Sequence, residues 1–82
     1  MKICVLTHTE AAGMRPRAFL LGGQRVTVAA VLQRWEETGQ QYFRVRDFAG
    51  RQFVLRHSPA LGSWDLEGVC AAPRRPGRLA AA

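Results

Sequence analysis

The feature that most constrains the fold is the alternation of residue types on both sides of a short loop at residues 48–50. If the glycine of this loop adopts the left-handed conformation of a three-residue hairpin, Val45 faces Phe53 and Phe43 faces Leu55. The opposite face then carries Tyr42, Arg44, Arg46, Gln52, Val54 and Arg56. A slip of one residue would bury arginine side chains, so the register is well specified. The sequence predicts an antiparallel hairpin here.

A second hairpin is predicted around Gly22-Gly23, because two glycines suit both central positions of a type I′ turn. This turn pairs Leu21 with Gln24 and Phe19 with Val26. The strand that returns from the turn leads into residues 28–35, where two interpretations are open. Apolar residues at Val28, Val31, Leu32 and Trp35 fit a short helix, whereas a bulge at Ala29-Ala30 restores the alternation of a strand. The strand is favoured, because no good N-cap precedes residue 28.

Residues 36–40 and 57–63 are predicted connections, and residues 64–69 form the last predicted strand. With Leu55 facing Leu66, the same register sets Phe53 opposite Gly68. It also sets Arg56 opposite Asp65 and Val54 opposite Glu67. These opposite charges should cancel part of the positive charge at this edge of the sheet.

The predicted fold class is mainly β: a single small antiparallel meander curled into a half-barrel or an SH3-like barrel. The 82 residues predict one domain. Residues 1–15 are a lead-in that either adds a strand or stays flexible, residues 16–71 form the β domain, and residues 72–82 form a disordered basic tail. The candidate core residues are Phe19, Leu21, Val26, Val28, Leu32, Phe43, Val45, Phe53, Leu55, Trp64 and Leu66.

The net charge of +6 favours polyanionic partners, and half of it comes from the three arginines of residues 72–82. Eleven of the twelve basic residues are arginine, which binds phosphate bidentately and stacks on bases. A coding bias towards Ala, Arg and Gly explains the same composition without any function. The charge therefore indicates DNA or RNA as a partner and leaves a protein partner or a homodimer open.

No catalytic or metal-binding group is predicted. His8 and His57 have no Cys, Asp or Glu at ligand spacing, and Ser58 beside a proline is most simply a turn residue. We therefore expect no enzyme, no cofactor and no small-molecule substrate. Cys4 and Cys70 are expected to be free thiols packed as small apolar groups. The first apolar run is too short for a signal peptide or a membrane span, so a cytoplasmic protein without membrane contact is expected.

The candidate nucleic-acid site is the strand face of Tyr42, Arg44 and Arg46, because single-strand binders combine arginine for phosphate with aromatic rings for bases. Arg74, Arg75 and Arg78 of the tail would add phosphate affinity without sequence preference. A solvated strand face explains the same three residues without binding. Trp35 and Trp64 are expected in the core or at a sheet edge, with base stacking as the alternative.

The sequence also resembles a family of small bacterial domains of unknown function. The resemblance covers about residues 16–70. It is carried by a frame of Phe19, Gly22-Gly23, Arg25, Val26, Val28, Val31, Leu32, Trp35, Tyr42, Phe43, Arg44, Val45, Gly50, Phe53, Leu55, Trp64 and Leu66. It implies a compact β meander without a catalytic residue. Some members are encoded near DNA damage-tolerance polymerases, which implies DNA. The predicted function is a nucleic-acid-binding accessory module, with a protein-interaction or self-association module as the alternative.

Overall fold

The computed structural model describes residues 1–11 and 13–70, apart from the side chain of Cys70. The chain forms an antiparallel meander of six strands that closes into a small barrel. The strands are β1 (Lys2–Glu10), β2 (Gly13–Leu21), β3 (Gln24–Glu37), β4 (Gln40–Asp47), β5 (Gln52–Ser58) and β6 (Ser63–Cys70). The predicted mainly β meander is confirmed, and it closes fully. The described residues contain no helix long and apolar enough to cross a membrane.

The barrel consists of two sheets that share β1 and β3. In the three-stranded sheet, β2 pairs with residues 4–10 of β1 and residues 24–27 of β3. In the five-stranded sheet, β3 pairs with β4 from Val28 onwards, followed by β5, β6 and the start of β1. β3 is therefore the corner strand, and its 14 residues serve both sheets.

The strand interpretation of residues 28–35 is confirmed, and the helical alternative is wrong. The pairing of β3 with β4 shifts once between Val28 and Ala30 and again between Val31 and Gln33. The first bulge was predicted from the sequence, but the second was not. The second bulge places Leu32 outside the alternation, with 45% of its surface exposed. The prediction that Leu32 belongs to the core is therefore wrong.

The first residues of the chain join the sheet, which settles the alternative left open for the lead-in. Strand β1 pairs with β2 along most of its length, and Lys2 and Ile3 pair with β6 to close the barrel. Ile3 and Val5 point inward and pack against the core. Cys4 lies between them on the outer face and is exposed, so the prediction that its thiol is packed is wrong.

The core contains Phe19, Val26, Phe43, Val45, Phe53, Leu55 and Trp64, and three further predicted residues, Leu21, Val28 and Leu66, pack against it. Both predicted hairpin registers are confirmed by the pairs Phe19–Val26, Val45–Phe53 and Phe43–Leu55. Gly22, Gly23 and Gly50 have positive φ angles of 58°, 80° and 89°. Phe19 and Phe53, one from each hairpin, meet edge to face in the core with ring centroids 5.0 Å apart.

The pairing of β5 with β6 differs from the predicted register beyond Leu55. Leu55 faces Leu66 as predicted, but a bulge then sets Val54 opposite Gly68 and Phe53 opposite Val69. The predicted pairs of Phe53 with Gly68 and Val54 with Glu67 are therefore wrong. Glu67 is the extra residue of the bulge, and its carboxylate lies 3.5 Å from the Arg56 guanidinium. This ion pair accompanies the bulge.

The connection between β3 and β4 is shorter than predicted. Glu36 and Glu37 are strand residues paired with Gln41 and Gln40. The turn itself is Thr38-Gly39, with positive φ angles of 51° and 77°. A two-residue turn with both φ angles positive matches the twist of the flanking strands. The pairing of β3 with β4 therefore extends to the residues directly beside the turn.

Candidate nucleic-acid interface

The structure brings Tyr42, Arg44 and Arg46 together on the outer face of the five-stranded sheet. Phe43 and Val45, which alternate with them on β4, are buried in the core. Alternate residues of a strand lie about 7 Å apart on the same face. Arg46 is exposed, while Tyr42 and Arg44 are half-buried. The strand alternation seen in the sequence thus predicted which three side chains share this face.

An aromatic pair extends this face onto β3. Trp35 lies directly opposite Tyr42, and their rings are parallel, with centroids 5.3 Å apart and an interplanar angle of 5°. Trp64, in contrast, is buried in the core against Phe43 and His57. A two-residue turn at Thr38-Gly39 pairs Trp35 with Tyr42. The sequence analysis did not predict this pair, because it assigned residues 36–40 to a five-residue connection.

Arg56 lies on the other side of Tyr42, and its charge is neutralised. Its guanidinium donates a hydrogen bond to Asp65 at 3.2 Å and lies 3.5 Å from Glu67. The hydrogen bond to Asp65 contributes most to raising the pKa of Arg56, with smaller contributions from Glu67 and the Tyr42 hydroxyl. The predicted pairing of Arg56 with Asp65 is confirmed, so the charge of this arginine is offset by two acids.

Arg44 and Arg46 supply the positive charge of the face. Within residues 1–11 and 13–70, neither guanidinium forms a salt bridge. Arg44 Nη1 donates to the amide oxygen of Gln52 at 3.4 Å, which leaves its other N–H donors for a ligand. The tail residues Arg74, Arg75 and Arg78 lie outside the described residues.

A groove opens where β2 and β3 separate, on the inner side of the β3–β4 hairpin whose outer face carries the aromatic pair. Residues 13–16 of β2 pair only with β1, and β3 pairs only with β4 from Val28 onwards. The groove has a volume of about 420 Å³ and is lined by Gly13, Met14, Arg34, Trp35, Glu36, Gln41, Tyr42 and Phe43. We call it the barrel-end groove. The Arg34 guanidinium lies over the Phe43 ring, 5.5 Å from its centroid.

His57 lies at the same end of the barrel as the groove. Burial lowers the pKa of His57, and its Nδ1 lies 2.9 Å from the amide oxygen of Gln41. The carboxylate of Asp65 contacts Arg56 and Lys2 rather than His57. The described residues contain no cluster of three or more His, Cys, Asp or Glu side chains that could hold a metal ion.

Acid should weaken this edge of the sheet. The hydrogen bond from Arg56 is the largest influence on Asp65 and, with Lys2 nearby, lowers the pKa of this carboxyl despite burial. A carboxyl with a lowered folded pKa contributes stability that is complete above its unfolded value of about 3.9 and is lost as pH falls through the folded value. Urea unfolding should therefore show a stability plateau above about pH 5 and a decline below about pH 4. If the stability of an Asp65→Asn variant fell as steeply with decreasing pH as that of the parent protein, this assignment would be wrong.

Comparison of the chain with protein-family models, curated proteins and solved structures finds no match. The resemblance described from the sequence accordingly stays a prediction.

Proposed function

We propose that the protein is a non-catalytic module that binds nucleic acid through the outer face of its five-stranded sheet. The observation that carries the proposal is the position of Arg44 and Arg46, without salt bridges to described acids, beside the parallel Trp35–Tyr42 pair. Guanidinium groups bind phosphate bidentately. Aromatic rings next to such cations are the usual arrangement for contacting a single strand.

The composition of the chain supports the same partner. Arg74, Arg75 and Arg78 add charge of the same sign after the last strand, and such charges strengthen binding to phosphate without sequence preference. The resemblance described from the sequence implies DNA, while the face itself suits DNA or RNA. The proposed role is therefore an accessory that holds a strand, with no chemical step assigned to it.

Replacing both Arg44 and Arg46 by Ala should weaken binding of a labelled single-stranded oligonucleotide about ten- to hundredfold, because two charge-assisted contacts to phosphate are lost. The plot of log affinity against log salt should also become shallower by about 1.4, since each phosphate contact contributes about 0.7 for a single strand. Fluorescence anisotropy at several salt concentrations measures both quantities.

The matched control removes two arginines from the other sheet. Arg17 and Arg25 are exposed residues of β2 and β3, so the Arg17→Ala/Arg25→Ala variant has the same net charge as the test variant. It should retain most of the affinity. Equal losses in the two variants would mean that only overall charge matters. Binding that disappears when residues 72–82 are removed would likewise sink the proposal, because the folded domain would then have no site.

A protein-interaction or self-association module is the second candidate, and one observation favours it. Cys4 lies opposite Leu20 in the three-stranded sheet, and both are exposed on its outer face together with Leu6, at 46% for Leu20 and 52% for Leu6. Neighbouring apolar side chains of this kind suit a protein contact. Sedimentation velocity would show a mass that rises with concentration and does not change in the Arg44→Ala/Arg46→Ala variant.

A further inference from the structure

Strand β3 has a long unpaired edge beside the barrel-end groove. β2 pairs with β3 only as far as Thr27, and from Val28 onwards β3 pairs only with β4. Among the described residues, no backbone hydrogen bond outside the β3–β4 pairing involves Arg34 or Glu36. Cavities of about 420 and 410 Å³ lie along this edge, and Arg34 borders both. An unpaired strand edge with open space beside it can accept a further strand.

The turn at Thr38-Gly39 determines which backbone groups of β3 point outward. In a two-residue hairpin turn, the residues on either side exchange backbone hydrogen bonds, so the N–H and C=O groups of Glu37 point to β4. Hydrogen-bonded and non-hydrogen-bonded pairs then alternate along an antiparallel ladder. The N–H and C=O groups of Trp35 therefore also point to β4, whereas those of Arg34 and Glu36 point out of the free edge.

The charges along this free edge are self-complementary. Arg34 and Glu36 alternate with Trp35 and lie on the inner side of the hairpin. Both are exposed, and within the described residues neither forms a salt bridge. A second β3 strand laid antiparallel against this edge can match the outward backbone groups by setting Arg34 opposite Arg34, Glu36 opposite Glu36, or Arg34 opposite Glu36. Since opposite charges attract across strands and like charges repel, the last of these registers is favoured.

We propose that the protein forms a two-fold dimer in which the free edges of β3 from two copies pair with each other. Arg34 of each copy lies opposite Glu36 of the other, and each of these two pairs exchanges two backbone hydrogen bonds. The Trp35 residues of the two copies then lie opposite each other at the two-fold axis. A contact of this kind uses the same surface on both copies, so the assembly closes at two.

The dimer would join the two five-stranded sheets into one. The two-fold axis between antiparallel strands of one sheet is perpendicular to that sheet, so the outer faces of both copies lie on the same side. The stacked Trp35–Tyr42 pairs then meet at the centre, and Arg44 of each copy lies beyond its own pair. The inference goes beyond the proposed function and does not depend on it.

Sedimentation velocity of the full-length protein without nucleic acid tests the dimer. The mass of the parent protein should rise from that of one copy to that of two as its concentration increases. Arg34→Glu and Glu36→Arg each make both charge pairs repulsive, so each should raise the dissociation constant of the dimer about ten- to hundredfold. The double variant Arg34→Glu/Glu36→Arg restores opposite charges and should dimerise like the parent.

A mixture of the two single variants gives the sharpest test. Arg34→Glu has two acids on the free edge and Glu36→Arg has two bases, so the variants should associate with each other more tightly than either does with itself. Loss of folding cannot produce such recovery. Glu37→Arg is the matched control, because it makes the same charge change as Glu36→Arg but faces Gln33 in the proposed register. It should leave the dissociation constant close to that of the parent.

The outcomes are distinct from those that test the proposed function. A parent protein that stays monomeric at every concentration overturns the dimer. A dimer that the charge reversals leave unchanged also overturns it, and its loss in Leu6→Ser/Leu20→Ser would assign the contact to the three-stranded sheet instead. Because no nucleic acid is present, failure of the dimer leaves the phosphate-binding face as proposed, and failure of oligonucleotide binding leaves the dimer.

Discussion

Replacing Leu55 by Ala should lower the free energy of unfolding by about 2–5 kcal/mol, the range for truncating a buried leucine. Leu55 is fully buried, with 0% of its surface exposed, and it belongs to the core shared by the two sheets. The truncation loses apolar burial and leaves a cavity that a closed barrel cannot readily fill. A domain of this size has a total stability of roughly 4–12 kcal/mol, so urea unfolding should show a large shift.

Leu32→Ala is the matched control, because it is the same substitution in another strand of the five-stranded sheet. The sequence alone placed both leucines in the core, but Leu32 lies in the second bulge of β3 and is 45% exposed. Its truncation should cost less than about 1 kcal/mol. Equal losses of unfolding free energy in the two variants would mean that Leu32 packs inward and that the bulge does not lie at residue 32.

Replacing Asp47 by Ala should lower the free energy of unfolding by about 2–3 kcal/mol, because two backbone N–H groups and the Arg51 guanidinium would lose a buried, charged acceptor. The Asp47 side chain is 6% exposed. It accepts hydrogen bonds from the backbone N–H groups of Ala49 and Arg51 at 3.0 and 2.8 Å, and from Arg51 Nε at 2.8 Å. Chemical denaturation of the two proteins measures the difference.

The pKa of Asp47 reflects the same contacts. Burial is the largest single influence and raises the pKa, but the hydrogen bonds from Arg51 and Ala49 together outweigh it and lower the pKa. Asp47→Asn keeps one acceptor and should lose less stability than Asp47→Ala. Glu10→Ala is the control for an exposed ion pair, since Glu10 contacts Arg15 at 3.6 Å with both side chains exposed to solvent. Glu10→Ala should lower the free energy of unfolding by less than about 1 kcal/mol. If Asp47→Ala lowered it by an equally small amount, the buried hydrogen bonds of Asp47 would not stabilise the fold as proposed.

Asp47 also pairs with one of the arginines of the five-stranded sheet. Arg51 is held by Asp47, and Arg56 is held by Asp65 and Glu67. Arg44 and Arg46 lie between these two neutralised positions on the same sheet. The proposed phosphate contacts lie in the middle of β4, where the test variants remove them.

Local sequence predicted the hairpins and the candidate face well, because both depend on short-range rules. Glycines at positions 22, 23 and 50 permit the positive φ angles of the two predicted turns. Alternation around residues 48–50 set the register of β4 against β5. Since alternate residues of a strand share a face, the positions of Tyr42, Arg44 and Arg46 followed directly.

Features that depend on distant parts of the chain were missed. The bulges at Leu32 and Glu67 insert one residue into a strand, and a sequence pattern does not show on which side of a bend an extra residue falls. The exposure of Cys4 depends on β1 pairing with both β2 and β6. The barrel-end groove exists because β2 and β3 separate, which no single strand encodes.

The sequence by itself determined an antiparallel β meander, its two main turns and one basic aromatic strand face, because steric and amphipathic rules act over a few residues. The tertiary structure alone decided that Lys2 and Ile3 close the barrel against β6, that Trp35 stacks on Tyr42, and that Glu67 joins Asp65 in pairing with Arg56. These outcomes depend on the bending of β3 and on contacts between strands, which arise only when the whole sheet curls around its core.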